Sequence, residues 1–373
     1  MASLDLPQEL PEATKTFTAQ CFCKATHFTI TLPTAALPLP VHLCHCSICR
    51  YTHGALCSFH APLPKGVEPV FVAPSSESGS LTSYRHATAQ GIRFFCSTCG
   101  CHIGDKDVDP DPETGMREWR VATSVFPSAE AADAFQIRTH TNTLSAPGGA
   151  LHDWLPRLGD RELRIWNPTD GSEAPVVPEA EVDDQGNERL RAECHCGGVS
   201  FTVPRPTAVP AGHPSEAAAK RYASKLHPDK WAGCLDLCDD CRLVTGSHVA
   251  AWTFVPLGLT EPRVPQDLKF GTLKTFSSSP DVVRAFCGVC GATVIFKCDE
   301  RIEDEDWVVD VAIGLLRAPE GVAAEKWLTW RTRRISWYDS GERYDPVLAK
   351  SLKEGLDAWG VEKYGESLNF KIG

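Results

Sequence analysis

The chain has 373 residues, 42% of them hydrophobic and 23% charged, with a formal net charge of −11. That composition suits an ordinary globular protein of two or three domains and excludes a fibre or a wholly disordered chain. The acidic balance makes DNA, RNA and anionic membrane surfaces poor partners, and thiolate-metal sites would deepen it.

Met1 to Lys15 has no apolar leader core, and no later apolar run approaches the roughly 18 residues of a membrane span, so the expected location is the cytoplasm or the nucleus. Seventeen cysteines, an odd number in a long chain, point to metal binding rather than to a disulfide framework.

In chain order, Cys21-Phe22-Cys23 comes first, followed by the strand-like run Phe28 to Leu32. The densest cluster is Cys44-His45-Cys46-Ser47-Ile48-Cys49-Arg50, and Arg93-Phe94-Phe95-Cys96-Ser97-Thr98-Cys99-Gly100 closes the pattern. Residues 171–188, rich in Pro, Glu, Asp and Gly, read as a linker. The pattern then returns: Cys194-His195-Cys196-Gly197, the cluster Cys234-Leu235-Asp236-Leu237-Cys238-Asp239-Asp240-Cys241-Arg242, and Arg284-Ala285-Phe286-Cys287-Gly288-Val289-Cys290-Gly291.

Cys49 and Cys96 are 47 positions apart, and Cys241 and Cys287 are 46 apart. A repeat of this length implies two copies of one domain, over residues 14–170 and 189–345. Runs such as Val199 to Val203, Val249 to Val255 and Val308 to Ile313 have β-sheet composition. Two stretches read as helices: Ala217 to Leu226, in an insertion confined to the second copy, and Pro346 to Trp359, which with the tail forms a C-terminal segment over 346–373. The insertion ends in His227-Pro228-Asp229. That tripeptide resembles the J-domain co-chaperone signature but lacks its flanking long helices, so it reads as a helix stop and turn.

A C-x-C pair and a distant C-x-x-C pair supply the four thiolates of a closed structural zinc site. Cys21, Cys23, Cys96 and Cys99 would form one such site, and Cys194, Cys196, Cys287 and Cys290 another. Cys44, Cys46 and Cys49 are too close together to pair as disulfides without strain, but they fit one zinc ion with a coordination position left open. In the second copy Asp236 aligns with Cys44 and Cys234 lies two residues earlier. Either could complete a site with Cys238 and Cys241. The expected load is three or four zinc ions per chain.

The succession C-x-C, C-H-C-S-x-C-R and R-x-F-C-x-x-C-G resembles the glutathione-dependent formaldehyde-activating enzyme family, also called the centromere-protein-V family, in both copies. The resemblance implies mainly β, zinc-stapled domains with carbon-sulfur lyase or glutathione-adduct chemistry. It assigns Cys44, Cys46 and Cys49 to the catalytic zinc, and Cys21, Cys23, Cys96 and Cys99 to a structural one. The first copy departs from the family at Lys24, where glycine is usual; Gly197 conforms.

Three thiolates outweigh the charge of zinc and make it a weak Lewis acid, better suited to a soft thiol than to activating water. A small-molecule thiol or thiol adduct is therefore the expected substrate, with glutathione as candidate co-substrate. Arg50 is a candidate catalytic-site residue that anchors a carboxylate, and Arg242 its counterpart; a salt bridge at the core edge is the alternative for both. His45 is a candidate for proton transfer, with His42 and His53 weaker ones. Cys57, Cys101 and Cys298 read as small buried hydrophobes. The rival reading is a zinc-stabilised protein-binding scaffold, although no basic run is longer than Arg331 to Arg334.

Overall fold

The computed structural model describes residues 13–87, 89–169, 177–303 and 306–373. It is mainly β. In the N-terminal half one sheet runs, edge to edge, through Leu81–Tyr84, Gly91–Cys96, His102–Asp107, Trp119–Ala122, Ser58–Pro62, Leu39–Cys44, Phe135–Thr141 and Arg164–Trp166. In the C-terminal half the order is Leu273–Ser279, Val282–Cys287, Thr293–Glu303, Asp306–Ala312, Ala250–Pro256, Trp231–Asp236 and Leu328–Trp330. Over seven strands the order is the same, and the N-terminal sheet adds an eighth at its edge, Arg164–Trp166. In both sheets the strand that carries the cysteine cluster has a parallel neighbour on its far side, Phe135–Thr141 or Leu328–Trp330.

A smaller sheet accompanies each cluster, Thr14–Gln20 with His27–Pro33 and Val70–Phe71 in one half and Glu181–Val182, Glu188–Glu193 and Ser200–Pro204 in the other. Alternation explains these strands. Phe28, Ile30 and Leu32 are fully buried while Thr29 and Thr31 face outward, the period of two that a half-covered sheet requires.

Three sequence expectations need adjustment. Of the stretch 171–188 read as a linker, residues 171–176 lie outside the described residues, and its end is a hairpin: Glu181–Val182 pairs with Glu188–Arg189 around Asp183, whose carboxylate accepts from the backbone N–H groups of Gln185 and Asn187. The insertion helix is shorter than its pattern suggested. It spans Glu216–Tyr222, because Ala223 is extended and Ser224 N–H bonds to the Lys230 carbonyl across the His227-Pro228-Asp229 turn. His227 Nδ1 meets Thr329 Oγ1 at 3.1 Å.

The C-terminal helix is longer than expected, Pro346–Tyr364, with Asp345 capping the N–H groups of Val347 and Leu348. It packs across the other half. Gly355 sits so close to Trp154 that a Cβ there would be 2.0 Å from the Trp154 carbonyl oxygen, and Trp154 lies between Trp330 and Trp359 at 4.6 and 5.3 Å.

The halves meet through reciprocal contacts. Helix Ser47–His53 ends at Gly54, whose absent Cβ would fall 2.0 Å from the Thr293 carbonyl oxygen. Helix Asp239–Thr245 ends at Gly246, whose Cβ would fall 2.3 Å from that of His102. Both glycines have positive φ, so each closes its helix and also admits the other half's backbone. Gly100 likewise faces the Phe286 ring and Gly291 the Phe95 ring, and the two rings meet edge to face at 6.3 Å. Main-chain bonds cross in both directions, Phe22 N–H to Leu243 and His195 N–H to Tyr51. One buried apolar cluster runs through both halves.

Lys24 and Gly197 occupy the same turn, with N–H to carbonyl bonds of 3.0 Å back to Cys21 and 3.1 Å back to Cys194. Lys24 has φ +60° and Gly197 φ +72°. Lys24→Gly should stabilise the protein by up to about 1 kcal/mol, the left-handed penalty less the extra chain entropy of glycine, and Gly197→Ala, with open space around it, should cost about as much. Denaturant midpoints measured at equal metal load check the pair; shifts of the same sign in both would contradict it.

Candidate metal centres

The two four-cysteine groups are built alike. In each, a C-x-C turn follows the first long strand of the small sheet, and the C-x-x-C pair begins at the end of a strand in the large sheet, Gly91–Cys96 or Val282–Cys287. Sγ–Sγ distances are 3.5 Å for Cys21–Cys23 and 3.6 Å for Cys23–Cys96, and in the other group 3.6 Å for Cys194–Cys196 and 3.5 Å for Cys196–Cys287. These are far too long for a disulfide and close to the ~3.8 Å edge of a sulfur tetrahedron around zinc, with Zn–S of about 2.3 Å.

The donor sets therefore fit the ion. No cysteine is in a disulfide. Backbone N–H groups point at the sulfurs, Thr26 to Cys21 at 3.4 Å and Val199 to Cys194 at 3.3 Å, as thiolates require.

The third group differs in being open on one side. Cys44 ends the strand Leu39–Cys44, Cys46 is the N-cap of helix Ser47–His53, and Cys49 lies in its first turn, so the three sulfurs converge within 4.8 Å. Each sulfur has a donor: Asn142 Nδ2 to Cys44 at 3.1 Å, the Cys49 N–H to Cys46 at 3.4 Å, and Arg93 Nη2 to Cys49 at 3.7 Å. Contact with Cys44 and Cys46, and after it the charge of Arg93, holds the Cys49 thiol well below its ordinary value.

Beside this group lies a cleft of about 1070 Å³ whose floor is the face of the sheet. Strand register sets that floor. His42 pairs with His60, Cys44 with Ser58, and Asp105 with Arg120. His60 Nδ1 is 2.9 Å from Asp105 Oδ2, while Arg120 Nε holds the other oxygen, Oδ1, at 2.6 Å. Burial pushes the Asp105 carboxyl up, but the His60 bond and the charges of Arg120 and Arg93 outweigh it and keep the group ionised. His60 Nε2 is buried without a protein partner.

Arg50, expected at the site, is a correction. It is 4% exposed, gives Nε to the His45 carbonyl and Nη2 to the Ser145 carbonyl, both at 3.1 Å, and lies over the Tyr51 ring. It ties the cluster helix to the loop beyond and does not line the cleft. Arg242 does the same across the halves, donating to the Ser124 carbonyl. His45 is turned away from the cleft: it is fully buried, its Nε2 is 2.9 Å from His140 Nδ1, and burial and its histidine neighbours hold it neutral. Cys57, Cys101 and Cys298 are buried and belong to none of these groups.

Sequence reasoning missed His60, Asp105, Asn142 and the role of Arg93. Only Arg93 had left a signal, as the arginine that opens both closing motifs: its counterpart Arg284 gives Nη1 to Cys241 at 3.4 Å.

In the C-terminal half Asp236, Cys238 and Cys241 come within 4.8 Å of one another. Cys234 is not in that group; its sulfur is 3.7 Å from Ser336 Oγ. Burial pushes the Asp236 carboxyl up to about 7. The neighbouring sheet face has lost the imidazole–carboxylate pair, and Asp310, which stands where Arg120 does, is paired to Arg301. By register, Trp252 stands where His60 does and Phe296 where Asp105 does. Tyr222 of the insertion helix stacks on Phe254 above this face, and Gly373 lies against Tyr222. A polar hollow of about 290 Å³ is left, walled by Arg221, Arg301, Arg331 and Lys371.

Protein purified without chelator should carry three or four zinc ions per chain by elemental analysis, one for each group that closes on an ion. Cys290→Ser should remove one and lower the unfolding temperature. One ion or none in the unaltered chain would contradict the donor geometry.

No curated protein matches the chain. Residues 16–131 match the family model described as glutathione-dependent formaldehyde-activating enzyme, a segment that holds both the first closed group and the open one. The match stops short of the C-terminal half. On this match the segment 16–131 is similar to the glutathione-dependent formaldehyde-activating enzyme family.

Proposed function

We propose that the N-terminal cleft is the working site of a zinc-dependent enzyme that makes or breaks a carbon-sulfur bond in a thiol adduct. The observation that carries this reading is the contrast between the two sheet faces: an open cleft with His60 hydrogen-bonded to the Asp105 carboxylate beside three thiols, against a face packed with Trp252 and Phe296 beside the altered group. Zinc held by Cys44, Cys46 and Cys49 would supply a soft, weakly Lewis-acidic position suited to a thiolate.

Arg93 offsets part of the excess negative charge of the three sulfurs. Cleavage of a hydroxyalkyl thioether requires removal of the hydroxyl proton while the carbon-sulfur pair leaves with sulfur; a carbonyl and a thiolate result. His60 is the group placed to take that proton, held in one tautomer by Asp105, and to return it when the bond forms in reverse. Glutathione is the candidate thiol because of the family description.

The equal strand order supports reading 14–170 and 189–345 as two copies of one domain, of which the second has lost its cleft. Among the described residues no helix is long and apolar enough to cross a membrane. The reducing cytoplasm suits seventeen free thiols.

The test is a screen of thiol-aldehyde adducts, S-hydroxymethylglutathione first. Cys46→Ser should abolish turnover, and His60→Gln should lower kcat by about 10²- to 10⁴-fold with metal content unchanged. Cys238→Ser should keep the activity. No turnover of any adduct, or loss in Cys238→Ser alone, would overturn the assignment.

A further inference from the structure

Around the turn that follows strand Leu328–Trp330, the charge of this acidic chain is locally reversed. A hollow of about 620 Å³ is walled by Arg331, Arg333, Arg334, Arg343 and Lys353 against one acid, Asp339. Glu342 and Glu354 stand nearby at Tyr338, and Glu354 faces Lys350 at 3.9 Å. Among the described residues Arg333, Arg334 and Arg343 have no ion pair. Lys353 rests over the Tyr338 ring at 4.8 Å. Cations gathered in one concavity repel each other unless an anion joins them, so the arrangement is costly without a ligand.

The platform is fixed. Arg331 is 7% exposed, with Nε on the Arg334 carbonyl at 3.0 Å and Nη2 on Ser336 Oγ at 2.7 Å. The N–H groups of Thr332 and Arg333 both bond to the Leu368 carbonyl. Beside the arginines Trp337 is 67% exposed and held at φ +54°, a conformation that costs a bulky side chain energy. The corresponding stretch of the N-terminal half, Arg138 to Asn142, has a single arginine, Arg138, at the place of Arg331 and none at those of Arg333 and Arg334, so the clustering does not follow from the fold they share.

We propose that this hollow is a binding site for a small phosphorylated ligand with a planar ring, of the nucleotide class. The guanidinium groups match phosphate oxygens in bidentate geometry, and the open face of Trp337 offers a stacking surface. The volume suits a single small molecule rather than a polymer. The site is separate from the N-terminal cleft and does not depend on the reaction proposed there.

Calorimetric titration of the full-length, zinc-loaded protein with ADP, inorganic phosphate and adenosine tests it. ADP should bind at one site, more tightly than either fragment. Arg333→Ala with Arg334→Ala should weaken ADP by about tenfold or more. Trp337→Ala should weaken ADP but leave phosphate unchanged, and Cys46→Ser should bind ADP as the unaltered chain does. No heat with ADP, or binding indifferent to the arginine changes, would overturn the proposal. Binding of an RNA oligonucleotide through the same arginines that ADP fails to compete would overturn the small-ligand class.

Discussion

Each half of this protein holds the other's cluster helix in place, through two glycines that admit a foreign backbone. Gly54 lets the end of helix Ser47–His53 settle on Thr293, and Gly246 lets helix Asp239–Thr245 settle on His102. A methyl group at either point would meet a carbonyl oxygen well inside contact distance, so neither helix could keep its position. Since Cys46 and Cys49 ride on the first helix, the geometry of the open thiol group depends on the C-terminal half. The C-terminal helix adds to this by laying Gly355 and Trp359 against Trp154 of the N-terminal half. A cut in the 171–188 stretch would expose one continuous core rather than release two finished domains.

That dependence gives a physical reason for the altered group to persist without a cleft. Asp236, Cys238 and Cys241 would, around an ion, anchor the helix whose C-cap meets His102, and Arg242 reaches across to Ser124. What has changed is the sheet face, where an imidazole and a carboxylate give way to an indole and a phenyl ring. Those rings exclude water and need no counter-charge, and they cannot accept or release a proton as an imidazole can. The insertion helix then covers the face with Tyr222.

Much of this was legible in the sequence, for definite reasons. Thiol spacing is a strong signal because few other functions need a C-x-C pair, a central cysteine cluster and a C-x-x-C pair in that order twice over, and alternation at Phe28, Ile30 and Leu32 gave the strand its inward face. Arg50 misled because adjacency along the chain was taken for adjacency in space; the helix turns it to the side opposite the cleft, where backbone carbonyls satisfy it. His60 and Asp105 were invisible because register alone brings them together, 45 positions apart. A strand-by-strand comparison of the repeat would have exposed the change from His60 to Trp252. The fused core was also unreadable, since glycines at contact points look like ordinary helix stops.

The central claim is that only the open group of the N-terminal half accepts an exogenous thiol. Cobalt(II) in place of zinc makes the claim visible, because sulfur-to-cobalt charge-transfer bands report each added thiolate. Titration of the fully cobalt-loaded protein with glutathione should change these bands with one equivalent per chain, and the change should vanish in Cys46→Ser and survive in Cys238→Ser. A response that survives in Cys46→Ser and vanishes in Cys238→Ser would contradict the account and make the altered group the one that works.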